Sequence, residues 1–275
     1  MIQSVLWNPS QGKPRYQCRP RLNPAHPLNC GIKYFALLNE GGSKFYDLVS
    51  GASIDLANGA TVDPIGGIRC DANAERAYGL APSDLTATYP CSLVVRCYIL
   101  GAPSYFASHI SNRNKIAILG GASTPLRYSH GGYSGTTWTQ WASSISYEIG
   151  FRTIVSVIDN GYQRLYVDGF LIHSTSSAMS QPTSPDGNIY LGQDSSSATR
   201  NSNSIILLAA AYNRILTDSE AMEWYLHPYG SISNPRLFVE PKNTLWASSG
   251  GEPPVPTLPL KHPFLRPFSG PFGRF

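Results

Sequence analysis

The sequence predicts an all-β protein: antiparallel strands packed as a sandwich or closed as a barrel, one short helix near the C-terminal end, and an extended arm at each terminus. Three observations predict it. Short β-type runs recur with turn signals between them. Charged residues make up 14% of the 275, against ~25% in an average soluble chain. Gly (25) and Pro (22) are abundant and Tyr contributes 16. That balance excludes a helical bundle, a coiled coil and a charged disordered chain. No apolar run approaches the ~20 residues of a membrane span, so no membrane insertion is expected. The opening stretch, Met1 to Cys18, lacks a basic region followed by an apolar one, so no secretory signal is expected either.

Charge and proline divide the chain into three. Residues 1–30 carry Lys13, Arg15, Arg19 and Arg21 and no acid, and read as a basic N-terminal arm. Residues 31–240 hold 13 basic and 16 acidic residues and read as the body. Residues 241–275 carry Lys242, Lys261, Arg266 and Arg274 against Glu252, with eight prolines, and read as a second arm.

Within the body, 93–100 (LVVRCYIL), 115–119 (KIAIL) and 145–151 (ISYEIGF) read as strands. Residues 153–158 (TIVSVI), 162–167 (YQRLYV) and 170–174 (FLIHS) follow, separated by Asn160-Gly161 and Asp168-Gly169. Those dipeptides supply the positive φ angles of tight hairpins, so 153–174 should be a three-stranded antiparallel meander. Residues 188–192 (NIYLG) and 205–213 (IILLAAAYN) add two strands. Thr217-Asp-Ser-Glu220 is a capping box that opens a helix over 217–227, and His227-Pro228 ends it. Five cysteines (18, 30, 70, 91, 97) form no C-x-x-C pair. Cys91 and Cys97 share one strand, ~20 Å apart and out of bonding reach, so reduced, mostly buried thiols are expected.

Four segments carry a family resemblance. Residues 35–42 (FALLNEGG) with 45–48 (FYDL), 164–169 (RLYVDG), 189–192 (IYLG) and 212–220 (YNRILTDSE) resemble motifs of the laminin-G-like, concanavalin A-like jelly-roll domain. The resemblance spans about 33–230 and implies a two-sheet antiparallel jelly-roll sandwich. The family's acidic stretch before the closing motif is replaced here by Ile205–Ala211, and no calcium ligands are evident, so no metal or cofactor is expected. The coda Tyr225 to Tyr229, with Phe238 and Pro241, is similar to structural proteins of tailed bacteriophages.

Hydrolysis on this fold needs two carboxylates facing each other across a sugar bond. Glucanase relatives carry them in an E-x-D-x-E run, which is missing here. Glu148 stands alone, and Asp71/Glu75 and Glu220/Glu223 fall in a loop and on the helix. The six histidines (26, 109, 130, 173, 227, 262) never reach metal-ligand spacing. No catalytic residue is therefore assigned.

Binding is better supported. Residues 127–141 (RYSHGGYSGTTWTQW) read as a polar, Gly-rich, aromatic loop. Tyr128, Tyr133, Trp138 and Trp141 can stack on sugar faces while His130 and Gln140 donate hydrogen bonds; equally, the two tryptophans can anchor the loop to the core. A second polar loop, 193–203, either holds a ligand or covers an edge strand. The arms carry Trp7, Tyr16, Trp246, Phe264, Phe268, Phe272 and Phe275, and Pro-Phe steps recur every four residues. Such steps preset an extended backbone with regular aromatic anchors, which suits protein pockets better than nucleic acid.

The expected function is a non-enzymatic virion structural protein: a capsid (head) decoration protein on the particle surface, made in the host cytoplasm. Its arms would clamp it to the major capsid protein, to other virion proteins or to sister subunits in a homo-oligomer. The alternative is a glycan-binding module of a tail fibre or spike that meets host surface glycans.

Overall fold

The computed structural model describes residues 21–38, 44–64, 66–72, 75–82, 85, 89–102, 107–112, 115–120, 127–183, 187–193 and 202–233. In chain order the strands begin β1 (Arg21–Leu22), β2 (Ile32–Leu37), β3 (Phe45–Tyr46), β4 (Ser53–Ala57), β5 (Thr61–Val62) and β6 (Ile68–Cys70). They continue β7 (Arg76–Leu80), β8 (Cys91–Ile99), β9 (Ala107–Asn112), β10 (Ile116–Gly120), β11 (Arg127–Ser134) and β12 (Thr137–Ser146). The last are β13 (Gly150–Ile158), β14 (Gln163–Val167), β15 (Phe170–Thr175), β16 (Asn188–Leu191), β17 (Ser204–Tyr212) and β18 (Ile232–Ser233), with helix α1 (Asp218–Leu226) between the final two.

Two eight-stranded antiparallel sheets pack face to face. The first runs β12-β11-β10-β9-β16-β7-β4-β3, and the second runs β15-β14-β13-β8-β17-β6-β5 with β2 also paired to β17. Sequence alternation explains the packing. On β8, Cys91, Leu93, Val95, Cys97 and Ile99 enter the core between the sheets, while Val94 faces the other way. On β17, Ile206, Ala209 and Ala211 face the first sheet, and Leu208, Ala210 and Tyr212 join a second core. That second core is closed by α1 and by Leu28, so β17 is buried on both sides and reads as a continuous apolar run.

The motifs behind the family resemblance are structural. Asp47, 1% exposed, takes hydrogen bonds on Oδ1 from the Phe35 and Val49 amides and on Oδ2 from the Ser50 amide and hydroxyl. Arg214 bridges the Cys30 carbonyl and both Glu220 oxygens, at 2.6–3.0 Å, which ties the end of β17 to the helix start. The capping box forms as expected, with the Glu220 amide donating to Thr217 and the Glu220 carboxylate accepting from the Thr217 amide. Trp224 on α1 then stacks on Phe35, 5.9 Å between centroids.

Several expectations need correction. Residues 145–151 are not one strand: β12 ends at Ser146 and β13 begins at Gly150. Tyr147 turns its ring against Tyr128 and His109, and Gly150 adopts φ +123°, so the chain reverses there. Residues 127–141 are not a loop but most of the β11–β12 hairpin, turned at Gly135 with φ +62°. The meander over 153–174 forms, and Asp168-Gly169 takes positive φ (51° and 80°). Asn160-Gly161 does not; there the Asn160 side chain instead accepts from the Met179 amide. Residues 21–30, read as the end of the arm, pack on the body: β1 pairs β18 and Leu28 is 1% exposed. Cys30, Cys70, Cys91 and Cys97 are free thiols, of which Cys30 is exposed and the other three buried.

Candidate functional site

The six aromatic and polar residues expected to form one sugar platform are divided between two faces. Strand alternation places Tyr128 and His130 of β11, with Trp141 of β12, toward the second sheet. Tyr128 belongs to the inter-sheet core and Trp141 packs against it. His130 pairs through Nδ1 with Ser156 Oγ of β13 at 2.8 Å, and its ring lies 5.3 Å from Trp141 and 5.8 Å from His173. Burial, aided by His173, pushes its pKa down to about 3, so it is a neutral core imidazole and no surface donor. His109 is its counterpart on β9, bonded to Ser204 and Tyr147 and pushed by burial down to about 4.

Tyr133, Trp138 and Gln140 point the other way, onto the outer face of the first sheet. Trp138 is registered against Tyr133, the rings 5.3 Å apart. It lies over Gly131, where a Cβ would strike the indole. Gln140 donates to Ser129 Oγ at 3.3 Å. All three are half-buried.

From Gln140 a registered row crosses this face through Gly131, Ala117, Ser111, Tyr190 and Tyr78 to Asp55. At ~4.8 Å per strand, Gln140 and Tyr78 stand roughly 24 Å apart. Small residues form the middle of the row, Tyr190 and Tyr78 stand toward its Asp55 end, and the Arg76 guanidinium lies beside both rings. Sequence reasoning missed Arg76, Tyr78 and Tyr190. The signal available was alternation, Arg-Ala-Tyr-Gly-Leu on β7 and Asn-Ile-Tyr-Leu on β16, which sets both tyrosines outward and Ala77, Ile189 and Leu191 inward.

The carboxylates weighed for hydrolysis are engaged locally. Glu148 pairs with Arg152 at 2.7 Å, Asp71 with Arg69 at 2.7 Å and Glu220 with Arg214 at 2.6 Å. Glu75 accepts from the Asp71 and Ala72 amides, and Glu223 lies 3.9 Å from His26. Among the described residues no group of three or more His, Cys, Asp or Glu side chains could hold a metal, and no helix is long and apolar enough to cross a membrane. The second polar loop lies mostly outside the described residues, as do Trp7, Tyr16, Trp246, Phe264, Phe268, Phe272 and Phe275.

No protein-family model matches the chain, and no curated protein matches it. Solved structures do match in fold. The receptor binding domain of botulinum neurotoxin D aligns with TM-score 0.56 at 12% identity, covering 74% of this chain and 54% of that one. A serotype D ligand binding domain in complex with N-acetylneuraminic acid aligns with TM-score 0.53 at 11% identity, covering 72% and 51%. Trypanosoma rangeli sialidase, in complex with 2,3-difluorosialic acid, aligns with TM-score 0.52 at 18% identity, covering 77% and 36%. The chain thus spans about half of the toxin domains and about a third of the sialidase. At these identities the likeness establishes the fold class, a jelly-roll β-sandwich.

Proposed function

We propose that this protein is a non-catalytic glycan-recognition module. The observation that carries the reading is the β12 end of the first sheet's outer face, where Trp138, Tyr133 and Gln140 stand together, each half-buried. Half-buried aromatic rings beside an amide and a hydroxyl are the ordinary means of holding a sugar, apolar face on ring and hydroxyls on polar groups. Two of the similar solved structures hold sialic acid or an analogue, which agrees with a sugar ligand. A glycan array with the purified chain should give hits that Trp138→Ala abolishes without lowering the melting temperature. Trp141→Ala should instead lower the melting temperature, because Trp141 packs on the core. An array without hits, or hits that survive Trp138→Ala, would refute the reading. Polysaccharide cleavage that vanishes in Glu148→Gln would restore the hydrolase.

A second reading concerns where the module works. The Pro-Phe steps at 263–272 favour attachment to a protein surface, and with the phage-like coda they support a virion component, a capsid decoration protein or part of a tail fibre or spike. The partners would be the major capsid protein, another virion protein or further copies of this chain.

A further inference from the structure

We infer that the Arg76 end of the outer face receives the carboxylate of an acidic sugar, which rests on the glycan reading above. Arg76 and Tyr78 alternate on β7 and share the outer face, and Tyr78 is registered against Tyr190 of β16. The two rings lie 6.2 Å apart, and the guanidinium carbon lies 6.0 Å from one centroid and 5.9 Å from the other. Arg76 Nε is enclosed without an acceptor. Among the described residues no carboxylate pairs with Arg76: Asp55, on the same face and exposed, forms no ion pair with it. Next along the row, Ser111 is 2% exposed and its hydroxyl also lacks a partner. Buried polar groups in native proteins are almost always satisfied, so two orphans flanking Tyr190 call for a polar ligand or water.

Carboxylate chemistry fits best. A guanidinium keeps its charge beside aromatic rings, and its fork meets a carboxylate through two parallel hydrogen bonds. Sialic and uronic acids carry the carboxylate directly on the sugar ring, so the ring can lie on Tyr78, itself half-buried, while the acid meets Arg76. A neutral hexose would leave the cation uncompensated.

The test titrates the full chain with 3′-sialyllactose, trigalacturonate, the methyl ester of each, and lactose. At least one acid should bind about tenfold or more tightly than its ester, as expected for a charge-assisted pair. Which acid does so separates sialic from uronic ligands. Arg76→Gln should erase the preference, bringing acid binding down to the level of the ester in a chain that still unfolds cooperatively. Arg76→Lys, which keeps the charge but loses the fork, should recover only part of it. Equal binding of acid and ester, or a preference that survives Arg76→Gln, overturns the inference; if Trp138→Ala still abolishes that binding, the broader glycan reading stands. Failure of every probe to bind the folded protein overturns the inference, and an empty glycan array beside it overturns the broader reading too.

Discussion

His109 and His130 sit between the sheets with no exposed surface, and each is kept neutral by burial that drives its pKa below the ordinary value of 6.5. The folded state therefore takes up fewer protons than the unfolded chain below about pH 6.5, so these groups contribute full stability above that pH. The contribution is lost as pH falls toward their folded values of about 4 and about 3. Each should lower stability by about 1 kcal/mol per pH unit in the middle of that window, and the two together by about twice that per pH unit. Unfolding free energies from urea titrations between about pH 6.5 and about pH 5 should fall with that slope, and His130→Leu should roughly halve it. A flat profile in wild type would show that the two rings are not buried neutral. From the sequence His130 resembled a sugar donor because its neighbours are Gly, Ser and Tyr. Nothing local reveals that Ser156, on the opposite sheet, takes its Nδ1.

At the level of elements, what was legible depended on how local the determinant is. The capping box needs only residues 217–220, so the helix could be placed almost to the residue. Its worth is testable: Thr217→Ala should cost about 1 kcal/mol. Thr217→Ser, which keeps the hydroxyl, should cost much less. Equal losses would mean that the threonine methyl matters more than the cap. The β11–β12 hairpin was not legible, because its glycines and hydroxyl residues read as turn chemistry. Those same residues are small because Trp138 lies across Gly131 and the Ile158 side chain approaches Gly132. The register also shifts between Arg127 and Ser129, and Trp138 and Trp141, an odd number of residues apart, fall on opposite faces. An aromatic cluster in sequence thus became two sites in space: one packs the core, the other offers a surface.

For the whole molecule, the sandwich was readable because its alternation and turns are local, whereas the order of strands in each sheet is set by pairings as distant as Ile189 with Gly79 in the first and Tyr212 with Ile32 in the second. Both apolar cores are assembled from residues between Leu28 and Ile232. The fold should therefore not depend on the Pro-rich C-terminal segment, and deleting 250–275 should leave the melting temperature unchanged to within a few degrees. If the segment is an attachment arm, the same deletion should release the protein from particles. Replacing Phe264, Phe268 and Phe272 together by Ala should then weaken attachment more than neutralising Lys261, Arg266 and Arg274. The ordering follows from magnitudes: an exposed ion pair contributes ~0–1 kcal/mol, and truncating a well-buried aromatic costs ~3–5 kcal/mol. Steering by the basic residues would appear instead as a salt-dependent association rate. A truncated body that stays on washed particles at full copy number would move the attachment surface onto the sandwich, where exposed Phe170 and Leu171 on β15 would be the first residues to substitute.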